Sequence, residues 1–385
     1  MLTGATESAL LPVYAQLPVR PVRGEGSWLI DEAGQRWLDA YGGHAVAATG
    51  HCHPKVVAAI RAQAESLLFY STALPLPIRE QLATALIAHS PKPLTKVFLV
   101  NSGAEANENA LHLARKLTGR QLFVSIEGGW HGRTAATLAV TDGEKYMAGA
   151  RRAGLPLSKK VPWNDPAALL STVDEQTAGV ILEPVQGLQG ARDLPVELLV
   201  AARKACDRTG ALLIFDEVQC GVGRCGAFTA AESFGVIPDL LTLAKGLASG
   251  LPISALLTTD AVSAHIKSGD LGSTFGGGPV PCAAALATLA VLDEEHLIEN
   301  ANSVGEFLRR GALSLGPDKV VAVQGRGLLL GLRLRKPAVA VQTELLHHHI
   351  IVGTSSDPQV LRLMPPLSFS QAEAERLLQA LAEVL

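Results

Sequence analysis

The chain has 385 residues, 48% hydrophobic and 18% charged, enough for one large domain with a sizeable core and a smaller domain beside it. A formal net charge of −3 leaves no basic footprint for nucleic acid, and no apolar run reaches membrane-spanning length. Five scattered cysteines, and a first segment (Met1–Glu7) without the basic region of a secretory signal, point to reduced thiols and a cytoplasmic location.

Near the start, Gly26–Asp31 and Gln35–Leu38, joined by Glu32-Ala33-Gly34, read as a small hairpin with Tyr41-Gly42-Gly43 beyond it. Short apolar runs then alternate with helical patterns. Candidate strands are Lys96–Val100, Gln121–Ile126, Ala178–Glu183, Ala211–Asp216, Asp239–Ala244 and Ile253–Thr258. Glu105–Leu117 places Ala106, Ala110, Leu113, Ala114 and Leu117 on one helical face, and Val196–Arg208 does the same with Leu198, Leu199, Ala202 and Ala205. Continuous apolar strands separated by helices predict an α/β sheet buried on both faces and mostly parallel. From about residue 286, helices over Ser303–Leu315 and Gln371–Leu385 alternate with a strand at Leu328–Leu334. The expected organisation is a large domain over 50–285 and a small α+β domain built from 1–49 and 286–385.

Within this order lie the residues that carry chemistry. Asn101-Ser102-Gly103-Ala104-Glu105 joins a strand to a helix, where backbone N–H groups can hold a phosphate. By itself it reads more readily as a cap, with Ser102 as N-cap and Glu105 three residues on, and the Asp216/Lys245 pair tips it to the phosphate. Trp130-His131-Gly132-Arg133-Thr134 combines a face that can stack on a ring with a guanidinium that can grip a carboxylate. Asp216 ends one apolar run and Lys245 ends the next. A lysine amine that condenses with an aldehyde, and a carboxylate that keeps a pyridine nitrogen protonated, are what pyridoxal phosphate chemistry requires. In an open parallel sheet, ligands bind outside the carboxyl ends of the strands, where this pair falls. Leu271–Gly278 supplies two hydroxyls, Ser273 and Thr274, in a flexible loop, and Arg362 sits on a short strand stopped by Pro365-Pro366. His44, His51 and His53 lack a ligand cluster and read as structural rather than metal-binding, and His347-His348-His349 reads as a solvated helix end. Gly221–Gly226 lacks the Lys-Ser/Thr of a nucleotide loop.

Together these residues resemble the class III (omega) aminotransferases of fold type I over essentially the whole chain. The likeness includes Arg23-Gly24-Glu25-Gly26, Gly50-His51-Cys52-His53-Pro54, Asn101–Asn107, His131–Thr134, Glu183–Gly187, Asp216–Gln219, Lys245 and Arg362–Leu367. Tyr14, Pro18-Val19, Tyr41–Val46 and Val218–Gly221 are similar to the acetylornithine and succinylornithine branch. The resemblance implies a mostly parallel seven-stranded sheet, pyridoxal 5′-phosphate as cofactor, and a homodimer with shared active sites. Its substrates would be a small-molecule N-acylornithine donor and 2-oxoglutarate, in a step of arginine biosynthesis, with a carrier-protein-linked aminoadipate semialdehyde aminotransferase or an ornithine or 4-aminobutyrate ω-aminotransferase as the alternatives. It implies Lys245 as the Schiff-base lysine and proton shuttle, Asp216 at the pyridine nitrogen, Val218 and Trp130 on the ring, and Gln219 near its phenolic oxygen. Ser102, Gly103, Ala104, His131 and Glu183 join them around the cofactor, with Thr274 reaching the phosphate of the neighbouring subunit. Arg133 would bind a distal carboxylate and Arg362 the α-carboxylate of glutamate or 2-oxoglutarate, with Tyr14 and Ser273 near substrate. Where many relatives carry a second glutamate after Glu-Pro-Val-Gln-Gly, this chain has Leu188. Either another group masks Arg362, or the preferred donor differs.

Overall fold

The structure is a computed structural model and describes residues 9–385. Three antiparallel strands open it: β1 (Pro21–Glu25), β2 (Trp28–Asp31) and β3 (Arg36–Asp39). Asp31 closes the β2–β3 turn, its carboxylate accepting from Ala33 N and Gln35 N (both 2.9 Å) and from Trp37 Nε1 (2.9 Å). The hairpin expected from the sequence is there. β1 had no alternating signal because its side chains are largely exposed.

Seven strands then form the central sheet. In chain order they are β4 (Leu94–Val100), β5 (Leu122–Ile126), β6 (Lys159–Val161) and β7 (Thr177–Leu182). After a two-stranded ribbon of β8 (Val185–Gln186) and β9 (Arg192–Asp193) come β10 (Leu212–Asp216), β11 (Leu240–Leu243) and β12 (Ser254–Thr259). The spatial order is β4-β12-β11-β10-β7-β5-β6, and β11 through β6 run parallel while β12 opposes both its neighbours. Alternation along each strand distributes side chains between two cores. Ile181, Ile214, Leu240 and Leu256 join Ala110, Leu113 and Ala114 of helix Gly103–Thr118 on one face. Val180, Leu213, Phe215 and Leu241 join Leu198, Leu199 and Ala202 of helix Val196–Thr209 on the other. Each fully buried Leu or Ile contributes on the order of 1.5–3 kcal/mol, so both faces must be covered. The seventh strand, β6, escaped the sequence reading: it is three residues long and begins Lys159-Lys160, the charged character of a sheet edge.

The chain ends meet in a second region. β13 (Val320–Arg326), β14 (Leu329–Leu334), β15 (Ile350–Ile351), β16 (Gly353–Thr354) and β17 (Val360–Leu363) follow helix Leu297–Ser314, and four of them form a sheet ordered β13-β14-β17-β16. β15 instead pairs parallel with β3, tying the C-terminal part to the first meander. Helix Gln371–Val384 starts at a capping box between Ser370 and Glu373, and Glu373 also accepts from Trp28 Nε1 at 2.8 Å. Among the described residues no helix is long and apolar enough to cross a membrane, and no cluster of three or more His, Cys, Asp or Glu could hold a metal.

Candidate active site

Adjacent parallel strands put the two central residues side by side. Asp216 is the last residue of β10 and pairs in register with Thr242 of β11; two residues past the end of β11 comes Lys245, the first residue of a 3-10 turn, at φ +39°. A lysine at positive φ is held there by its surroundings rather than by its own preference.

Asp216 is buried and fully engaged. Its Oδ2 accepts from Asn107 Nδ2 (2.7 Å) and His131 Nδ1 (2.8 Å), and its Oδ1 from Val218 N (3.1 Å). Asn107 is fixed in turn, donating to His131 O (2.9 Å) and accepting from Thr242 Oγ1 (2.7 Å). The carboxylate is therefore oriented by a helix, a loop and the neighbouring strand at once. Glu183, nearby, accepts from Trp130 N (2.8 Å) and Gly187 N (3.1 Å). Burial, and after it the Asp216 charge, push its carboxyl up to about 8. Burial also lowers the Lys245 ammonium from its usual value, against the pull of Asp216 and Glu183. A lysine so placed gives up its proton more readily, as a nucleophilic or proton-shuttling amine must.

These groups open onto a cavity of about 740 Å³. Of the residues singled out from sequence, Ser102, Gly103, Ala104, Trp130, His131, Arg133, Glu183, Asp216, Val218, Gln219, Lys245 and Arg362 all line it. Ser102 caps helix Gly103–Thr118, its hydroxyl accepting from Glu105 N at 3.2 Å, and the positive end of that 16-residue helix faces the cavity. The Glu105 carboxylate turns instead to Asn101 N (2.9 Å) and Ser273 Oγ (3.0 Å), so the box pairing with Ser102 is not made. Gly103 is required by space: a Cβ there would come within 2.6 Å of Val218 Cγ1. Gln219 fills the room left by Gly187, where a Cβ would lie 1.7 Å from its Oε1.

Two arginines reach the cavity from different sides. Arg133 is exposed, its guanidinium 5.2 Å from the Trp130 ring centroid, with Trp130 edge-on to Tyr146 at 4.7 Å. Arg362, on β17, is only 6% exposed and donates to Thr354 O (2.6 Å), Gly187 O (3.1 Å) and Tyr41 Oη (3.0 Å). Three candidates lie off the cavity. Ser273 is tied to Asn101 (3.1 Å) and Glu105, Thr274 is exposed, and Tyr14 is 73% exposed near the start of the described chain. His51 pairs with Asp39 (2.8 Å) and His53 with Glu295 (3.1 Å), structural roles in keeping with the sequence reading.

Sequence reasoning gave no role to Asn107, Tyr41 or Tyr146, and none at the cavity to His44. For Asn107 a signal existed: an amide inside an apolar helical stripe, one turn after Gly103, must find buried partners. Tyr41 carried no such signal, because its partner Arg362 is more than 300 residues away, and His44 joins the group only through Tyr41.

The profile described as "Aminotransferase class-III" matches residues 12–385. The chain is 41% identical over 375 residues to the acetylornithine aminotransferase of Methanopyrus kandleri, covering 97% of this chain and 95% of that protein. It is 42% identical over 388 residues to that of Streptomyces coelicolor, covering 100% and 95%. Among solved structures, the ornithine aminotransferase of Toxoplasma gondii ME49 superposes with a TM-score of 0.91 at 28% identity, covering 98% and 92%. The acetylornithine aminotransferase of Elizabethkingia anophelis gives 0.86 at 30%, covering 97% and 95%.

Proposed function

Because the chain belongs to the class III aminotransferases, we propose that it moves the δ-amino group of an N-acylornithine, N-acetylornithine first among them, to 2-oxoglutarate. The observation that carries this reading is the single cavity shared by Lys245, Asp216 and two arginines, one exposed and one buried. Curated relatives of this length and identity that carry the acetylornithine aminotransferase name support the choice of donor.

The residues suit pyridoxal 5′-phosphate. Gly103 and Ala104 would offer backbone N–H groups to its phosphate, Val218 and Trp130 would hold its ring, and Asp216 and Lys245 would supply the carboxylate and the amine it needs. Bound there, the cofactor supplies an electron-accepting ring that carries the amino group from donor to acceptor. The Asp216 carboxylate, held by Asn107 and His131, would keep a proton on the ring nitrogen. Lys245 Nζ would take the proton from the amine-bearing carbon and deliver it on the cofactor side of the same nitrogen, and run the reverse transfer with the acceptor. Arg133, free of any ion pair among the described residues, grips the remote carboxylate of the donor. Arg362 takes the α-carboxylate of glutamate and 2-oxoglutarate.

The active sites are shared between two copies of the chain. Thr274 belongs to an exposed loop away from its own cavity, where it is available to a neighbour's phosphate. Beside it, Phe275 (64% exposed) lies 5.1 Å from the Phe69 ring in a patch continued by Leu68, Tyr70 and Leu74. Such a patch is the kind a subunit interface covers. By family resemblance, Ser273 and Tyr14 would lie near substrate in the assembled pair. The assembly works in the cytoplasm.

The test is single-turnover absorbance of the cofactor-loaded protein with N-acetylornithine, N-succinylornithine, ornithine and 4-aminobutyrate in turn. Loss of the visible cofactor band with the acylated ornithines alone is expected. Bleaching only by ornithine or 4-aminobutyrate moves the enzyme to another ω-amine branch, and absence of a band rejects the cofactor site.

A further inference from the structure

Arg362 is satisfied wholly by neutral groups. Its Nε, Nη1 and Nη2 donate to Thr354 O, Gly187 O and Tyr41 Oη, and among the described residues it makes no ion pair with a carboxylate. A guanidinium has five N–H donors, so two remain for a ligand. The neighbour of Gly187 on the cavity wall is Leu188, which adds no charge.

While Tyr41 Oη accepts from Arg362, its own proton is free to donate elsewhere. His44 Nδ1 is its acceptor, 2.7 Å from the phenolic oxygen. Desolvation, then the Arg362 and Lys245 charges, hold the His44 ring below the usual imidazole range, and the neutral ring in its Nε2–H tautomer has a lone pair at Nδ1 for the phenolic proton. The chain invests local conformation in this placement. Gly42, Gly43, His44 and Ala45 all lie at positive φ (57°, 57°, 67° and 66°), two of them without the freedom of glycine. The Asp39 carboxylate holds Tyr41 N (2.9 Å) and Gly42 N (2.8 Å). On the far side the Tyr41 ring occupies the space over Gly353, where a Cβ would fall 2.0 Å from its Cε2.

We propose that Tyr41, backed by His44, is a neutral stand-in for the substrate α-carboxylate: it satisfies Arg362 when the bound amine carries no carboxylate at that end. This rests on Arg362 being the α-carboxylate site of the proposed function. The energetic reason is an asymmetry of hydrogen bonding. A buried N–H donor left without a partner is costly, whereas one whose partner is exchanged is not. With an ω-amine bound, Tyr41 Oη is the partner. With glutamate or 2-oxoglutarate bound, the carboxylate takes over the Nη2 donor from Tyr41 Oη together with a free donor beside it, and a phenol, being uncharged, does not repel it. A fixed carboxylate beside Arg362 would have to be displaced each time. Tyr41 and His44 are thus positioning residues that set which amines the site accepts in alternation.

The experiment compares half-reactions of the holoenzyme with N-acetylornithine and with glutamate, for wild type, Tyr41→Phe, His44→Leu and His44→Gln. Tyr41→Phe is expected to lower the rate constant over Kd for N-acetylornithine about ten-fold, the size of a lost bond to a charged donor, and to change glutamate less than about two-fold. His44→Leu should act in the same direction, and His44→Gln, which keeps an acceptor, should recover most of the loss. Equal losses on both substrates, or none on either, overturn the proposal. If wild type reacts with glutamate but not with N-acetylornithine, the substrate reading fails, and 4-aminobutyrate, which also lacks a carboxylate beside its amine, takes its place in the series. A wild type that accepts neither amine needs no stand-in, and the proposal falls.

Discussion

At the scale of single residues, the site depends on one carboxylate held from three directions. Asp216 receives Asn107, His131 and the Val218 amide, and Asn107 is anchored by Thr242. Removing the charge in Asp216→Ala should lower kcat at least about 100-fold, because the negative charge acts on the transition state more than on binding. Cofactor absorbance should persist, and near-normal turnover in this variant would sink the assigned role. Asn107→Leu keeps the side-chain volume but removes a donor to Oδ2. We expect a loss of about ten-fold in kcat with KM little changed, measured by steady-state kinetics. An equal change in KM alone would make Asn107 a substrate contact instead.

Elements set the limits within which those residues work. The junction of β4 with helix Gly103–Thr118 must let Val218 pack against backbone, so Gly103→Ala should weaken cofactor binding by about ten-fold, read by titrating the apoprotein. Unchanged affinity would show that Val218 yields without cost. The edge strand β6 gives a second test. Lys160 is largely buried, donates to Ser125 Oγ (2.7 Å) and Val140 O (2.6 Å), and burial brings its ammonium down to about 8. Below pH 8 both folded and unfolded chains hold this proton and the penalty for burying the charge is fully present. Between pH 8 and about 10.4 the unfolded chain still binds a proton the folded one has released, so stability rises. The gain is roughly 3 kcal/mol for a shift of this size. Denaturant unfolding at pH 7 and pH 10 should therefore show wild type gaining on Lys160→Met by this order as pH rises. A constant difference between the two would mean that the ammonium is not desolvated.

For the whole molecule, the exposed apolar patch around Phe69 and Phe275 and the off-cavity position of Thr274 belong together. If two copies share their sites as proposed, Phe275→Glu should give a monomer by light scattering and remove activity with it, since each site would lose its neighbour's loop. A monomer of undiminished activity would show that each chain carries a complete site. Much of this protein was legible without coordinates. Six of the seven central strands, the flanking helices and the Asp216/Lys245 pair follow from local patterns, because strand period, helix period and cap chemistry are properties of neighbouring residues, whereas Arg362 took its role only from the family resemblance. What the linear order could not supply is whatever depends on elements distant along the chain. β3 and β15 come together only through pairing across some 300 residues, and the β6 edge has too few residues to show a period. The partner of Arg362 likewise emerged only when β17 folded beside the Tyr41–Ala45 turn. Leu188 told the sequence reader that a charge was missing; only packing decided that a phenol and an imidazole would stand in its place, because a buried donor takes whichever acceptor the fold brings within 3 Å.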